Sequence, residues 1–211
     1  MNLNTPKYWN SVWGKYRKSD SKERIEAQVK NVIKDDFWKN KPGKDHSNYS
    51  TYKAWWLASK LHPKSILDVG CGNGRLLYGL KQILPKSELF GIDMSETAIK
   101  RMKDEYGING KAMDIREMNS IKKKYDMVIF NDVLEHIEKE DEFLELCKNK
   151  IAKNGYLYGS IPNDILGPEE TGEHLRKYTH KSVNDLFERY FSDYKIEIIT
   201  IHIIVVAKLV T

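Results

Sequence analysis

The stretch that decides the fold is residues 65–77, S-I-L-D-V-G-C-G-N-G-R-L-L. Residues 66–69 are apolar except for Asp68 and are too few for a helix, so they predict a short buried strand. Glycines follow at every second position up to Gly74, and apolar residues at helical spacing come next. Glycine permits unusual backbone angles and lets a ligand lie against bare main chain. The order of strand, glycine turn and helix therefore predicts a ligand site at a helix N-terminus, where N–H donors are free.

The spacing of the glycines narrows the choice of ligand. The dinucleotide fingerprint is G-x-G-x-x-G, whereas this turn reads G-x-G-x-G and follows a strand that contains Asp68. That carboxylate would repel a diphosphate and attract a cation. The string D-V-G-C-G-N-G resembles motif I of the class I S-adenosylmethionine-dependent methyltransferases. The resemblance covers about residues 64–211.

Strand-like and helical segments alternate after the glycine turn, which predicts an α/β doubly wound fold with a mostly parallel sheet. The last two strands are nearly contiguous and predict an antiparallel hairpin. The resemblance implies a seven-stranded sheet with one reversed strand. Further strands are predicted at 88–94, 109–113, 125–130, 156–161, 194–198 and 203–209, and helices at 74–84, 95–105, 139–150 and 181–190, with Asn154-Gly155 ending the third of these helices.

Residues 1–60 are polar, basic and aromatic, and we interpret them as an N-terminal helical cap on a core of residues 61–211, within one domain. A helix is predicted at 22–38, and Ser50 or Thr51 would begin another that ends at Lys60. The resemblance implies that such helices cover the cofactor and shape the substrate pocket. Packing against the core is the alternative for the aromatic residues that would line that pocket, which are Tyr8, Trp13, Tyr49 and Tyr52.

An acidic residue ends the second predicted strand. Asp93 lies about 20 residues beyond the glycines, where doubly wound folds place the acid that binds ribose hydroxyls. Capping the next helix is the alternative for Asp93. The resemblance implies that Asp114 and Ile115 face the adenine and that Asn131 lies near the methionine portion of S-adenosylmethionine. The full set of expected cofactor residues is Asp68, Gly70, Cys71, Gly72, Asn73, Gly74, Asp93, Met94, Asp114, Ile115, Asn131, Asp132 and Val133.

Two histidines are candidate general bases, because an imidazole titrates near neutral pH. His136 ends Y-D-M-V-I-F-N-D-V-L-E-H, which resembles motif IV of small-molecule methyltransferases. His174 lies in E-H-L-R-K-Y-T, after the fifth predicted strand, where members of the family contact substrate. A purely structural role is the alternative for both. Arg176 and Tyr178 are further candidate substrate contacts.

We assign no metal ligand from the sequence, although one pattern keeps the question open. Asp132, Glu135 and His136 are spaced i, i+3, i+4 and would share one face of a helix. The ubiquinone-pathway O-methyltransferases, which the chain resembles, have a similar acid-x-x-Glu-His cluster that binds magnesium. A helix start with an acidic cap is the other interpretation.

The charge and composition fit a soluble enzyme as well as a nucleic-acid binder. The net charge of +5 is mild, and two cysteines in 211 residues suggest a reducing cytoplasm. No membrane span and no nucleic-acid partner is expected, and the oligomeric state stays open. The predicted function is transfer of a methyl group from S-adenosylmethionine, leaving S-adenosylhomocysteine, to a hydroxyl oxygen of a small molecule. The alternatives are an RNA methyltransferase and a catalytically inactive partner protein that binds the cofactor.

Overall fold

The computed structural model describes residues 4–15, 20–34, 48–163 and 167–210. Seven strands form one sheet, in the order β3-β2-β1-β4-β5-β7-β6. The strands are β1 (Ser65–Val69), β2 (Glu88–Asp93), β3 (Asn109–Ala112), β4 (Tyr125–Asn131), β5 (Ile151–Pro162), β6 (Asp193–Ile199) and β7 (His202–Lys208). The helices are α1 (Pro6–Trp13), α2 (Lys22–Val32), α3 (Tyr49–Leu61), α4 (Arg75–Ile83), α5 (Glu96–Tyr106), α6 (Glu140–Lys150) and α7 (His180–Phe187).

The sheet confirms the predicted doubly wound, mostly parallel architecture. β1 pairs in parallel with β2 on one side and with β4 on the other, so the strand order reverses beside β1. Ligands of open α/β sheets bind at the carboxyl ends of the strands where this reversal occurs. β7 is the reversed strand, since it is antiparallel to both β5 and β6. Two residues join β6 to β7, which confirms the predicted hairpin.

Several element boundaries differ from the prediction. α7 ends at Phe187, three residues before the predicted end. α3 begins at Tyr49, with Asn48 at the N-cap position, so neither Ser50 nor Thr51 caps it. β5 begins at Ile151, directly after α6, and the predicted helix stop at Asn154 lies inside the strand. Asn154 has a φ of +60°, which asparagine tolerates better than most residues, and the pairing register of β4 and β5 shifts nearby. The Asn-Gly pair therefore forms an irregularity within a strand.

The hydrophobic core has one cluster on each face of the sheet, and α2 and α3 contribute to the second, whereas α1 has no buried residue. Ile25 and Val29 of α2 and Trp55 of α3 pack there with Leu77 and Leu80 of α4. Trp55 is fully buried, and its indole N–H donates a hydrogen bond to the Leu76 carbonyl at 2.9 Å. This contact fixes α3 against the helix that follows the glycine turn. α2 ends at Val32, which is short of the predicted helix 22–38, and residues 35–38 lie outside the described residues.

Among the helices that the structure describes, none combines the length and the apolar character that crossing a bilayer requires.

Gly79 tests how closely Trp55 packs on α4. Alanine is normally favoured over glycine inside a helix by about 1 kcal/mol. Here a Cβ atom would lie 2.2 Å from Cε2 of the Trp55 indole. We therefore expect Gly79→Ala to lower the free energy of unfolding by about 1–3 kcal/mol, measured by urea denaturation. Gln82→Ala, at an exposed position of the same helix, is the control and should change stability by less than about 0.5 kcal/mol. A stabilised Gly79→Ala variant would contradict this packing.

Candidate functional site

A cavity of about 350 Å³ lies at the carboxyl edge of β1, β2 and β4, under the N-terminal helices. Most of the residues expected to bind the cofactor line it. They are Asp68, Gly70, Cys71, Gly72, Asn73, Asp93, Met94, Ile115, Asn131, Asp132 and Val133. His136 also lines the cavity, whereas Gly74, Asp114 and His174 are not among the lining residues.

The glycine turn is joined to the end of β2 by a hydrogen bond. The Gly72 N–H donates to Oδ2 of Asp93 at 2.9 Å, and the Ser95 N–H donates to Oδ1 at 2.8 Å. Ser95 caps α5, since its hydroxyl accepts a hydrogen bond from the Ala98 N–H. The capping role considered for Asp93 is thus filled by another residue. The Asp93 carboxylate instead fixes the turn and faces the cavity.

Two acids stand close together at this end of the cavity. Burial raises the pKa of Asp68 well above its usual range, and the charge of Asp93 raises it further. Burial also raises the pKa of Asp93, although the N–H groups of Ser95 and Gly72 offset part of this shift. Paired buried acids suit a ligand that offers hydroxyl donors or positive charge.

The three glycines of the turn have different neighbours, although all have positive φ angles of +52° to +80°. A Cβ atom on Gly72 would lie 2.5 Å from the Trp13 indole, and one on Gly70 would lie 2.5 Å from the Val133 side chain. At Gly74 the obstacle would be Met102 of α5, 2.3 Å away. Gly74 therefore serves helix packing, whereas the first two glycines let the chain approach the walls of the cavity.

The sequence predicted only part of the cavity wall that the N-terminal helices form. Trp13 lines the cavity as expected, but Tyr8, Tyr49 and Tyr52 do not, and Trp9 does. Trp9 contacts the His136 ring edge-on, with ring centroids 5.1 Å apart. The signal that could have found it is the i, i+4 spacing of Trp9 and Trp13, which places both on one face of α1. Further lining residues that the sequence did not indicate are Asn4, Asp20, Asn48, Thr51, Arg75, Leu76 and Ile137.

Three residues that were predicted to contact cofactor or substrate pair with other side chains of the protein, outside the cavity. The Asp114 carboxylate accepts hydrogen bonds from both the Nε and an Nη atom of Arg116, which lowers its pKa. Tyr178 is buried, and its hydroxyl donates to Glu140 at 2.7 Å. Arg176 pairs with the same carboxylate at 2.7 Å. These last two side chains tie the segment before α7 to α6, so their contacts are structural.

The predicted helical face of Asp132, Glu135 and His136 does not form. Asp132 has a φ of +56°, and only a short 3₁₀ helix (Leu134–His136) follows, so the α-helical spacing does not apply. The structure instead brings Glu135 and His136 together with His174, and one ligand atom from each lies within 4.8 Å of the others. We call these three residues the Glu-His-His cluster.

The hydrogen bond of His136 fixes its proton. Its Nδ1 lies 3.0 Å from the carbonyl oxygen of Glu173, which can only accept, so Nδ1 carries the proton and Nε2 is left with a lone pair. Burial lowers the pKa of His136, which favours the neutral ring. Nε2 lies 3.8 Å from Oε1 of Glu135. Two acceptors thus face each other across a short gap.

Glu135 is the least compensated acid among the described residues of the site. Its side chain is 1% exposed, and neither carboxylate oxygen has a hydrogen-bond partner within the described part of the chain. Burial and the charge of Asp132 raise its pKa well above the usual range. Either a proton on Glu135 or a cation would compensate the cluster. Carboxylate oxygen and imidazole nitrogen are ligands that divalent metals accept, so the three residues fit such an ion.

We next ask whether the residues of the cavity wall fit the S-adenosyl group that the resemblance implies. Nδ2 of Asn73 and Oδ1 of Asn131 are buried in the cavity wall and have no hydrogen-bond partner among the residues described. They offer one donor and one acceptor to a ligand. Together with the two acids Asp68 and Asp93, they fit a ligand that has hydroxyl, amino and sulfonium groups.

Comparison with known proteins identifies the family. A family model described as "Methyltransferase domain" matches residues 62–196. A ubiquinone biosynthesis O-methyltransferase from Coxiella burnetii is 29% identical over 133 residues, which cover 57% of this chain and 56% of that protein. A carboxy-S-adenosyl-L-methionine synthase from Campylobacter hominis is 33% identical over 107 residues, or 48% of this chain and 46% of that one. The chain thus spans about half the length of these curated relatives.

Solved structures share the fold. The plantazolicin methyltransferase BpumL, in complex with a desmethyl-plantazolicin analogue and S-adenosylhomocysteine, superposes with a TM-score of 0.66 at 18% identity, over 90% of this chain and all of that one. The methyltransferase domain of the bacterial protein CtHen1 has a TM-score of 0.66 at 18% identity, over 78% of this chain and 100% of that one. At this identity the likeness concerns the fold.

The uncompensated carboxyl of Glu135 has a consequence for stability. The pKa of Glu135 in the folded chain lies above the ordinary value of 4.5. Between these two pKa values the folded state binds more protons than the unfolded state, so the free energy of unfolding falls as pH rises from 4.5 through the pKa of the folded state. With a chelator present, we expect Glu135→Gln to be more stable than the parent chain at pH 8 by about 1–3 kcal/mol. The difference should vanish as pH falls below 4.5, measured by urea denaturation at several pH values.

Glu142→Gln is the matched control, because this glutamate is exposed on α6. It should show no such pH-dependent gain. A Glu135→Gln variant that is less stable than the parent chain at every pH would show that the buried carboxylate is compensated after all.

Proposed function

Because the chain belongs to the methyltransferase domain family, we propose that it transfers a methyl group from S-adenosylmethionine to a hydroxyl oxygen of a small-molecule acceptor. The observation that carries the proposal is the junction of the glycine turn with Asp93, which presents bare main chain and a carboxylate at the edge of the sheet. When bound, the cofactor supplies an electrophilic methyl group, and the chain supplies binding and orientation. Residues 1–60 act as a cap within the same domain.

Each part of the cavity wall has a proposed task. Asp93 accepts hydrogen bonds from the ribose hydroxyls. The side chains of Met94 and Ile115 pack against the adenine, and Asp114 is left to its pairing with Arg116. The remaining cofactor residues hold the methionine end. They are Asp68, Gly70, Cys71, Gly72, Asn73, Asn131, Asp132 and Val133.

The acceptor hydroxyl must lose a proton, and His136 and His174 are the proposed residues at this step. His136 lines the cavity with an unprotonated Nε2, which can accept a proton. The Glu-His-His cluster can alternatively hold a divalent ion, which would lower the pKa of a bound hydroxyl. An imidazole nitrogen that binds a metal has no lone pair for a proton, so the two roles exclude each other at one atom.

The acceptor class follows from resemblance alone. The relatives include a release factor glutamine methyltransferase, a ubiquinone biosynthesis O-methyltransferase and a plantazolicin methyltransferase, and none of their acceptors is carried over as this chain's substrate. A soluble enzyme in the cytoplasm remains part of the proposal, with both cysteines free and buried. No feature of the described cavity favours RNA as the acceptor or an inactive partner protein.

Binding of the cofactor is the direct test. We expect isothermal titration calorimetry to detect S-adenosylhomocysteine binding, and Asp93→Ala to weaken it by about 10- to 100-fold, because a charged hydrogen-bond acceptor is lost. Asp104→Ala, on the exposed side of α5, is the control and should bind like the parent chain. Methyl label from S-adenosylmethionine should appear in small molecules of a cell extract. Absence of any binding heat would refute the proposal.

Metal binding at the Glu-His-His cluster has its own readout. An ion that binds only the folded chain stabilises it, and the melting temperature rises with the logarithm of the ion concentration once this exceeds Kd. If the cluster holds a divalent ion, Mg²⁺ or Mn²⁺ should raise the melting temperature of the parent chain and not that of Glu135→Gln. Equal shifts in the two proteins would place the ion elsewhere and leave the histidines as proton acceptors.

A further inference from the structure

A second polar cluster lies behind the wall of the cavity. It consists of Asp132 after β4, Ser160 on β5 and His202 at the start of β7. Asp132 lines the cavity, whereas Ser160 and His202 are 0% and 4% exposed and are not among its lining residues. His202 and Ser160 therefore stand behind Asp132 as seen from the cavity.

The Asp132 carboxylate is held from three directions. Its Oδ2 accepts a hydrogen bond from Nδ2 of Asn131, and its Oδ1 accepts one from the Ser160 hydroxyl, both at 3.0 Å. Nε2 of His202 lies 3.4 Å from the same Oδ1. The Asp132 N–H also donates to the Ser160 carbonyl at 3.0 Å, which holds the backbone at its positive φ.

These contacts leave part of Asp132 uncovered. Its side chain keeps 36% of its surface exposed, although donors approach it from two strands and from its neighbour. Since Asp132 lines the cavity, this uncovered part of the carboxylate is available to a ligand there. The contacts with Ser160 and His202 also draw Asp132 away from the Glu-His-His cluster, to which it contributes no ligand atom.

His202 is not explained by packing. The three residues that follow it on β7 are buried and apolar, namely Ile203, Ile204 and Val205. An imidazole in this strand leaves Nδ1 buried without a hydrogen-bond partner among the described residues, which costs stability. The favourable interaction that His202 makes in this position is its contact with Asp132. Local rules of this kind are broken mostly where function requires it.

We propose that His202 is a positioning residue that, with Ser160, holds the Asp132 carboxylate as the anion that binds the α-ammonium group of the cofactor's methionine end. The inference rests on the proposed function. Asp132 adjoins Val133, which contacts Gly70 of the glycine turn, so it lies at the end of the cavity assigned to the methionine portion. A carboxylate can only accept, and a charge-assisted bond to an ammonium group is among the stronger hydrogen bonds in proteins.

Two ligands that differ at one end test the proposal. S-adenosylhomocysteine has the ammonium group, whereas 5′-methylthioadenosine has the same adenosine and thioether without the amino-acid end. We expect His202→Leu to weaken binding of S-adenosylhomocysteine by about 10-fold or more, measured by calorimetry. Binding of 5′-methylthioadenosine should stay within about twofold of the parent chain. Ser160→Ala should show the same selectivity.

His202→Gln separates positioning from packing, because its side-chain amide can still donate toward Asp132. It should restore most of the affinity that His202→Leu loses. Ile204→Val, on the same strand, is the packing control and should bind both ligands normally. Melting temperatures of all variants establish that they fold, and if His202→Leu is unfolded, Ser160→Ala and His202→Gln decide the matter.

The outcomes are distinct. Equal weakening of both ligands would mean that His202 only supports the fold, and unchanged binding of S-adenosylhomocysteine by His202→Leu and Ser160→Ala would mean that Asp132 needs no support. Either result overturns the inference and leaves the proposed function standing. A parent chain that binds neither ligand would overturn both.

Discussion

The hydrogen bond from the Gly72 N–H to the Asp93 carboxylate is the interaction on which the site depends. It joins the turn after β1 to the end of β2, so two neighbouring strands present their polar groups at one point. The Gly70 and Cys71 N–H groups also donate to the Ile92 carbonyl, which adds to the same junction. Because the residues at the positive φ angles of this turn are glycines, the Val133 and Trp13 side chains can approach the main chain at Gly70 and Gly72 closely.

The N-terminal helix completes the enclosure from the opposite side. Asn10 accepts hydrogen bonds from the Ser95 hydroxyl and the Thr97 N–H, and Arg101 donates to the Trp13 carbonyl at 2.8 Å. α1 is thus fastened mainly to α5 and brings its two tryptophans over the cavity. None of its residues is fully buried, in contrast to α2 and α3, which makes α1 less firmly held than the helices in the core.

The fold was largely predictable because its signals are local. The buried β1, the glycines after it and the alternation of strands with helices are readable along the chain. The errors arose where a tertiary contact decided the outcome. Asn154 was interpreted as a helix stop, but pairing with β4 extends β5 through it. Asp132 was grouped with Glu135 by helical spacing, but Ser160 and His202 hold it in a conformation that prevents this helix. Neither partner is near Asp132 in sequence.

The indole of Trp13 lies directly on Gly72, at the point where a nucleoside-bearing ligand would have to reach the turn. Movement of α1 away from α5 would carry this indole off the turn and uncover Gly72. Motions of loops and helices over binding sites take microseconds to milliseconds, and in many enzymes they limit turnover. The hydrogen bonds that Asn10 and Arg101 make between α1 and α5 would then set how readily this part of the turn is uncovered.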